Sequence, residues 1–324
     1  MTRRSVAIHG GLLALALTLA WTVDSGGDRH PAQVERGVLI VDAEGGDAES
    51  VTYRQGANLI RLTARHDAHG RWIFGEASDP NEGDSPRQIF AGDKKALALF
   101  AALEPFRVQR VLSSVSPEKL AELHLIGPTA SLTLQIRGRR HHIALGGSAY
   151  GTADRYGRLD DGRVVVLPRA LTRGVALGAS TYAQRVFFSA PRVEIERLEV
   201  RQGEGTLSLV QHASGGQRQT FWAEAGQATG RDEYKTWVDT LLQLTALEYV
   251  AERPATEWVL RLSVTADFDG RPRETLRIFE VPNTEPDNAY RAVSDQTRLV
   301  ARVAGRMTAK LVGDWARLAG EVSR

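Results

Sequence analysis

The sequence predicts an α+β protein with an N-terminal transmembrane anchor followed by two tandem, similar modules, each an antiparallel sheet packed against one helix. Three observations predict it: an apolar segment follows two arginines at the N-terminus, most of the remaining chain alternates apolar and polar residues, and the same order of elements occurs twice. The predicted boundaries are 1–23 for the anchor, 24–37 for a linker, 38–188 for the first module and 189–324 for the second. A length of 324 residues is usual for two domains, with one large domain as the alternative.

The anchor is predicted from residues 6–23, which are mostly apolar and follow Arg3 and Arg4. A helix of this length just spans the hydrocarbon core of a bilayer, and the positive-inside rule places the arginines in the cytoplasm. We therefore expect a single-pass protein of the inner (cytoplasmic) membrane, with the bulk of the chain on the periplasmic side. A cleaved signal peptide is the alternative, although the residues after the segment match a cleavage site poorly.

The first module is predicted from period-two segments separated by turn residues. Strands are expected at 38–41, 51–53, 58–64, 71–74, 106–111, 132–136, 143–145, 156–159 and 164–167. The apolar spacing in 94–103 predicts a helix that ends before Pro105. Ser116 followed by Pro117 predicts the capped start of a second, shorter helix, and Pro168 opens a third.

The second module repeats this order. Strands are expected at 193–200, 207–210, 219–224, 247–249, 259–268, 275–281, 289–293 and 298–303. Helices are expected at 233–244 and 307–315, from their helical apolar spacing. The order of strand, strand, strand, helix, strand, hairpin, hairpin and helix therefore occurs twice, which predicts an internal repeat.

The tripeptide Arg-Gln-Gly occurs at 54–56 and again at 201–203, flanked by apolar residues of the same phase. Chance and a shared ligand motif are two explanations for it. A third is a turn between two strands at the opening of each module, where glycine supplies a positive φ. We favour the turn, because the element order around both copies agrees.

The composition excludes several function classes. The chain is 42% hydrophobic and 25% charged, with a net charge of +2, and this is typical of a globular protein. No basic patch with interleaved aromatic residues is present, which argues against nucleic-acid binding. The most basic run, 137–142, is interpreted as a hairpin turn, with anion binding as the alternative. The absence of cysteine excludes disulfides, thiol catalysis and zinc-thiolate sites.

No catalytic, cofactor-binding or metal-ligating residue is predicted. His66 and His69 are interpreted as part of a solvated turn, with a metal pair as the alternative. His141 and His142 follow one another on a predicted strand, so their side chains point to opposite faces. Asp160-Asp161 is interpreted as a hairpin turn rather than as an acid/base pair.

Four tryptophans raise the question of a groove for a glycan or a lipid. Trp72, Trp222, Trp237 and Trp258 each lie in an element of apolar phase, so we interpret them as core residues. Residues 174–181 are rich in glycine but lack the lysine of a phosphate-binding loop.

Residues 144–167 read ALGGSAYGTADRYGRLDDGRVVVL, a strand ending in Leu-Gly, a short loop, a strand that contains tyrosine, and an apolar strand. This pattern resembles the domain-of-unknown-function family 4340. Residues 123–128, and residues 182–188 followed by 193–195, are also similar to motifs of that family, so the resemblance covers 59–209. It implies an envelope protein associated with gliding-motility-type ABC transporter systems. It implies no catalytic residues, because none is defined for the family.

The sequence and this resemblance together predict a non-enzymatic, membrane-anchored extracytoplasmic scaffold or accessory subunit of an ABC-transporter-type or motility-related envelope assembly. Protein partners are expected in the inner membrane or periplasm, ABC transporter subunits among them. Membrane contact is expected through residues 6–23, and neither nucleic acid nor a cofactor is expected. Two other functions stay open, a periplasmic glycan- or lipid-binding module and a hydrolase of unrecognised type.

Overall fold

The computed structural model describes residues 37–78, 88–213 and 220–322. Val38–Arg324 form one compact unit. The strands are β1 (Val38–Val41), β2 (Ala48–Gln55), β3 (Asn58–Asp67), β4 (Gly70–Ser78), β5 (Gln88–Ala91), β6 (Phe106–Val108), β7 (Arg110–Leu112), β8 (Ala130–Ile136), β9 (Arg139–Ser148), β10 (Arg155–Leu159), β11 (Val164–Leu167), β12 (Ile195–Gln202), β13 (Gly205–Ala213), β14 (Thr220–Glu224), β15 (Glu248–Tyr249), β16 (Val259–Phe268), β17 (Arg271–Glu280), β18 (Tyr290–Ser294) and β19 (Ala301–Arg302). The α-helices are α1 (Lys94–Ala101), α2 (Pro117–Glu122), α3 (Arg169–Ala176), α4 (Asp232–Leu242) and α5 (Gly305–Val322).

The strands form two large antiparallel sheets and one small one. The nine-stranded sheet has the order β5-β4-β3-β2-β8-β9-β10-β11-β7, and the eight-stranded sheet has the order β14-β13-β12-β16-β17-β18-β19-β15. The small sheet pairs β1 with β6. Once β5 is set aside, the two large sheets have the same strand order. In each, three strands of a meander are followed by two hairpins, and the far edge is a strand that precedes those hairpins in the sequence, β7 in one sheet and β15 in the other.

Alternation along the strands builds the core. In β8 every second residue is buried and the residues between are half-buried. Side chains on successive residues of a strand point to opposite faces, so this pattern directs one face of the sheet into the core. One hydrophobic core runs through both large sheets, from Val51 and Leu62 to Val264 and Ile278.

The turn after the first strand of each large sheet is the same. Gly56 follows β2 with a φ of 57°, and Gly203 follows β12 with a φ of 55°. A residue with a Cβ adopts this region at a cost, which explains the glycine at both positions. The turn interpretation of the repeated Arg-Gln-Gly tripeptide is therefore confirmed.

Local side-chain contacts determine where the helices begin. Asp93 accepts hydrogen bonds from the backbone N–H groups of Lys95 at 2.8 Å and Ala96 at 3.2 Å, which caps α1. Ser116 accepts from the N–H of Lys119 and precedes a proline, so α2 has the predicted start. The longer helices α4 and α5 pack on each other through Trp237 and Trp315, whose ring centroids are 4.4 Å apart.

The segment 182–188 connects the two large sheets by main-chain hydrogen bonds on both sides. The N–H of Gln184 donates to the carbonyl of Ala91 at 2.8 Å, at the end of β5. The N–H of Ala246, close to the start of β15, donates to the carbonyl of Arg185 at 2.9 Å. Gln184 and Arg185 are consecutive residues that bind different sheets, so they bring the edge strands β5 and β15 close to each other.

The predicted α+β fold class is wrong. The described residues are mostly strand, and they form three sheets. The strands extend beyond the apolar segments that predict them: β9 covers Arg139–Ser148, whereas the sequence predicts 143–145. Polar residues at strand ends still pair through their main chain, so side-chain periodicity underestimates strand length. The module boundary after residue 188 stays a prediction.

The predicted single-pass anchor and the inner-membrane localisation are not supported. Among the described residues no helix is both long enough and apolar enough to cross a membrane. The longest of them, α5, carries Arg306, Lys310 and Asp314 within its first ten residues. Residues 6–23, from which the anchor is predicted, lie outside the described residues.

Candidate functional site

A cleft of about 990 Å³ opens where the nine-stranded sheet meets the edge of the eight-stranded sheet. Its floor is formed by β2 and β3, where Tyr53 and Ile60 are each 3% exposed. One rim is the segment 175–180 at the end of α3, and the opposite rim is the segment 247–252, which includes β15. The connection through residues 182–188 holds these two rims in place.

Two leucines on the rims are exposed to solvent. Leu177, on the α3 rim, is 63% exposed, and Leu247, on the β15 rim, is 43% exposed. Exposed apolar side chains that border a concave surface mark interaction sites more often than isolated ones do. The two rims therefore present apolar side chains above a floor that mixes apolar residues with the polar Gln55 and Asn58.

The polar groups of the cleft are mostly paired within the protein. The hydroxyl of Tyr53 donates to Gln55 at 2.7 Å, and that of Tyr249 donates to the carbonyl of Gln184 at 2.6 Å. Burial raises the pKa of Tyr249 above that of an ordinary tyrosine, so it stays a neutral hydrogen-bond donor over the physiological range. These two hydroxyl groups therefore help to hold the walls of the cleft in position.

Charge in the cleft is concentrated at the β15 end. Arg302 pairs with Glu248 at 3.1 Å, and Glu252 lies 3.9 Å from Arg291. The side chains of Glu248 and Glu252 are 54% and 57% exposed, so both carboxylates reach solvent. This end of the cleft combines two accessible carboxylates with one arginine on its lining.

The His66–His69 stretch comprises the last two residues of β3 and the turn into β4, and it contacts the eight-stranded sheet. Asp67 accepts a hydrogen bond from Nε of Arg298 at 3.0 Å, and Nε2 of His69 lies 3.5 Å from Asp295. Burial alone would raise the pKa of Asp67, but the hydrogen bonds from Arg298 and from the N–H of His69 outweigh it and lower that pKa. The turn interpretation is confirmed, and its contacts join the two sheets.

The other candidates from the sequence also lie in turns and strands. His141 and His142 are consecutive residues of β9, and Nδ1 of His142 lies 3.2 Å from the Thr133 hydroxyl. Asp160-Asp161 forms the turn from β10 to β11, where Asp160 accepts from the N–H of His142 at 3.1 Å. Within the described ranges, no group of three or more His, Asp or Glu residues is placed to hold a metal ion.

The tryptophans do not meet in a groove. Trp222 and Trp237 are buried in the core at 0% and 3% exposure, as the sequence predicts. Trp72 and Trp258, which the sequence also assigns to the core, are only half-buried, and neither lines the cleft. The cleft is therefore not a tryptophan-lined groove for a glycan or lipid.

Sequence reasoning missed the cleft because its walls come from four distant segments. Of the glycine-rich stretch 174–181, which lacks the lysine of a phosphate-binding loop, the structure places residues 175–180 on the α3 rim. One local signal is Leu177, an apolar residue that lies after the predicted helix and outside every predicted strand. Pairing that rim with residues 247–252 requires the three-dimensional arrangement.

Comparison with known proteins gives one match. No curated protein matches the chain, and no solved structure matches it. A family model described as a domain of unknown function, DUF4340, matches residues 84–263, which are more than half of the 324 residues. The match begins before β5, ends within β16 and includes both the α3 rim and the β15 rim of the cleft. The chain belongs to the DUF4340 family, as the resemblance of residues 144–167 predicts.

Proposed function

We propose that this protein is a scaffold or accessory subunit, without catalysis of its own, of an ABC-transporter-type or motility-related assembly. In this proposal, the cleft binds an extended segment of a partner subunit. The observation that carries it is the pair of exposed leucines, Leu177 and Leu247, on opposite rims of one cleft. The association with a transporter-type assembly comes from the family resemblance.

An extended peptide fits the form of the cleft. Its volume is at the upper end of the range usual for ligand pockets, about 300–1,000 Å³. The β15 rim is the edge strand of its sheet and pairs with β19 on one side, so its other side offers main-chain groups for hydrogen bonds to an extended chain. The floor carries Leu59 beside the polar Gln55 and Asn58, which suits a chain whose alternate side chains are apolar and polar.

The charges suggest what the segment carries. Glu248 and Glu252 are more than half exposed at the β15 end, and Arg302 already pairs with Glu248. A partner segment with two apolar anchor residues and a basic residue beyond them would match this arrangement. Charge complementarity of this kind contributes mainly to specificity and to the association rate.

The proposal is tested with single substitutions on each rim. Leu177→Glu and Leu247→Glu should each weaken binding of the partner subunit at least about tenfold, because a leucine anchor contributes on the order of 1.5–3 kcal/mol when it is buried. Ile126→Glu is the matched control: Ile126 is 61% exposed, close to the 63% of Leu177, and does not line the cleft. Binding is measured by titration with a purified transporter-type subunit encoded beside this chain.

A photo-crosslinking amino acid at position 177 gives an independent measurement. We expect it to form a crosslink to one peptide of the partner, and the same group at position 126 to form none. If intact cells yield only the protein itself at both positions, or if Leu177→Glu binds as well as the unchanged protein, the proposal is wrong.

A further inference from the structure

A second cavity, of about 450 Å³, lies on the other side of α3. Arg169, Thr172 and Arg173 line it from the helix. Residues three and four apart share one helix face, so these three side chains point the same way. Leu171 and Val175 lie on the opposite face and are 2% exposed, which fixes the helix on the core.

The opposite wall comes from the end of β9 and the start of β10. Gly146 and Ser148 line it together with Arg155. Nε of Arg155 donates to the carbonyl of Gly146 at 2.7 Å, so its guanidinium group is held in place. Its two Nη groups have no hydrogen-bond partner among the described residues. We call the cavity lined by Arg155, Arg169, Thr172 and Arg173 the arginine pocket.

The arginine pocket holds three positive charges without a neutralising carboxylate. Within the ranges 37–78, 88–213 and 220–322, no ion pair involves Arg155, Arg169 or Arg173. The neighbouring carboxylate, Asp154, accepts the backbone N–H of Arg169 at 2.8 Å and lies outside ion-pair distance of all three guanidinium groups. Like charges at i and i+4 on a helix destabilise it, so this arrangement has a cost that a bound anion would remove.

Thr172 supplies an uncharged donor. The residue as a whole is 4% exposed, but its hydroxyl oxygen is not one of the fully buried polar atoms and is open to solvent in the pocket. Thr308 is the fourth residue of α5, as Thr172 is of α3, and its hydroxyl donates to the carbonyl of Ala304 at 2.8 Å. The Thr172 hydroxyl is therefore available to hydrogen-bond to a ligand in the pocket, in place of the water that it otherwise meets.

We propose that the arginine pocket binds a phosphate group. Guanidinium groups donate paired hydrogen bonds to two oxygens of an oxyanion, which makes arginine suited to phosphate recognition. Donors from the helix face and from Arg155 on the opposite wall surround a tetrahedral anion better than a planar carboxylate. A soluble phosphate ester and a phospholipid headgroup both offer this group.

Calorimetric titration of the full chain with inorganic phosphate, at constant ionic strength with chloride as the balancing anion, tests the site. We expect saturable binding that is at least about tenfold weaker in Arg169→Ala and in Arg173→Ala, because each removes charge-assisted hydrogen bonds. Thr172→Val keeps the side-chain shape and should weaken binding several-fold. Arg158→Ala is the control, since Arg158 is an exposed arginine of the same strand as Arg155 and lies outside the pocket.

Absence of saturable binding would overturn the proposal, and so would unchanged affinity in both Arg169→Ala and Arg173→Ala. Thermal unfolding of each variant without phosphate verifies that α3 is retained. Added phosphate should raise the melting temperature of the unchanged protein and of Arg158→Ala, and should not raise that of the double variant Arg169→Ala/Arg173→Ala.

Two further probes distinguish the sources of the phosphate group. Tighter binding of glycerol 3-phosphate than of inorganic phosphate would assign a soluble ester. Sedimentation with phosphatidylglycerol vesicles that is lost in the double variant would assign a lipid headgroup. Sedimentation retained by the double variant would contradict that source.

The site is independent of the proposed function. The arginine pocket and the cleft share Ala176 and are otherwise lined by different residues. Leu247→Glu, on the β15 rim, should therefore leave phosphate binding unchanged, and Arg173→Ala should leave partner binding unchanged. Failure of one proposal is thereby separated from failure of the other.

Discussion

The helix that follows the last hairpin is packed differently in the two large sheets. In the eight-stranded sheet, α5 begins at Gly305 directly against the main chain of Pro286 and Asp287, where a Cβ at position 305 would overlap the Pro286 carbonyl. Arg306 there pairs with Asp287 at 3.3 Å. At the corresponding place in the nine-stranded sheet, α3 begins beside the arginine pocket, and the arginines of that helix have no ion pair in the described residues.

The difference shows how two sheets with the same strand order can differ in the surface that their helices leave exposed. The 18-residue α5 covers its sheet and closes the contact with the β17–β18 connection, whereas the 8-residue α3 leaves a cavity on each side. Shortening one helix in a repeated topology therefore exposes surface without changing the sheet below it. Sites arise where one copy departs from the shared architecture.

The largest expected effect on stability comes from losing the contact between Trp315 of α5 and Trp237, which only the longer helix makes. Trp315→Ala should lower the free energy of unfolding by about 4 kcal/mol, because Trp315 is 1% exposed and packs on Trp237. Leu177→Ala at the end of α3 should change it by less than about 0.5 kcal/mol, since that side chain is largely exposed. Chemical denaturation measures both, and similar losses would show that the two helices are equally structural.

Much of the local structure could be predicted from the sequence. Turn glycines, helix caps and apolar spacing act over a few residues, so the turns at Gly56 and Gly203 and the helix after Asp93 follow from their neighbours. The family could also be predicted, because residues 144–167 carry a continuous motif.

The fold class and the sites could not be predicted in the same way. Whether a module is mainly strand depends on main-chain pairing of polar strand ends, as at Arg139 and Arg140, and side-chain periodicity does not record this. The cleft combines residues as distant as Tyr53 and Arg302. The arginine pocket had a local signal, the spacing of Arg169 and Arg173, but only the structure shows that Arg155 faces them.

A smaller effect on stability is expected where the start of α5 meets the β17–β18 connection. Gly305→Ala should lower the free energy of unfolding by about 2 kcal/mol, because the new Cβ meets backbone atoms that cannot move aside cheaply. Gly313→Ala in the same helix has open space around its Cβ and should raise stability by about 0.5–1 kcal/mol. Effects of the same sign would mean that α5 is not held against the β17–β18 connection.

The smallest effect distinguishes the two buried threonines. Thr308→Val removes a hydrogen bond to the Ala304 carbonyl and should lower the free energy of unfolding by about 1 kcal/mol. Thr172→Val removes a hydroxyl that has no partner in the described residues, so without phosphate it should be neutral or slightly stabilising. With saturating phosphate, Thr172→Val should instead lower the free energy of unfolding. The hydroxyl then binds the ligand, so the variant loses part of the stabilisation that the ligand provides. Denaturant titrations with and without phosphate measure this; an equal loss at both positions without phosphate would show that Thr172 is already satisfied and that the two helix starts are alike.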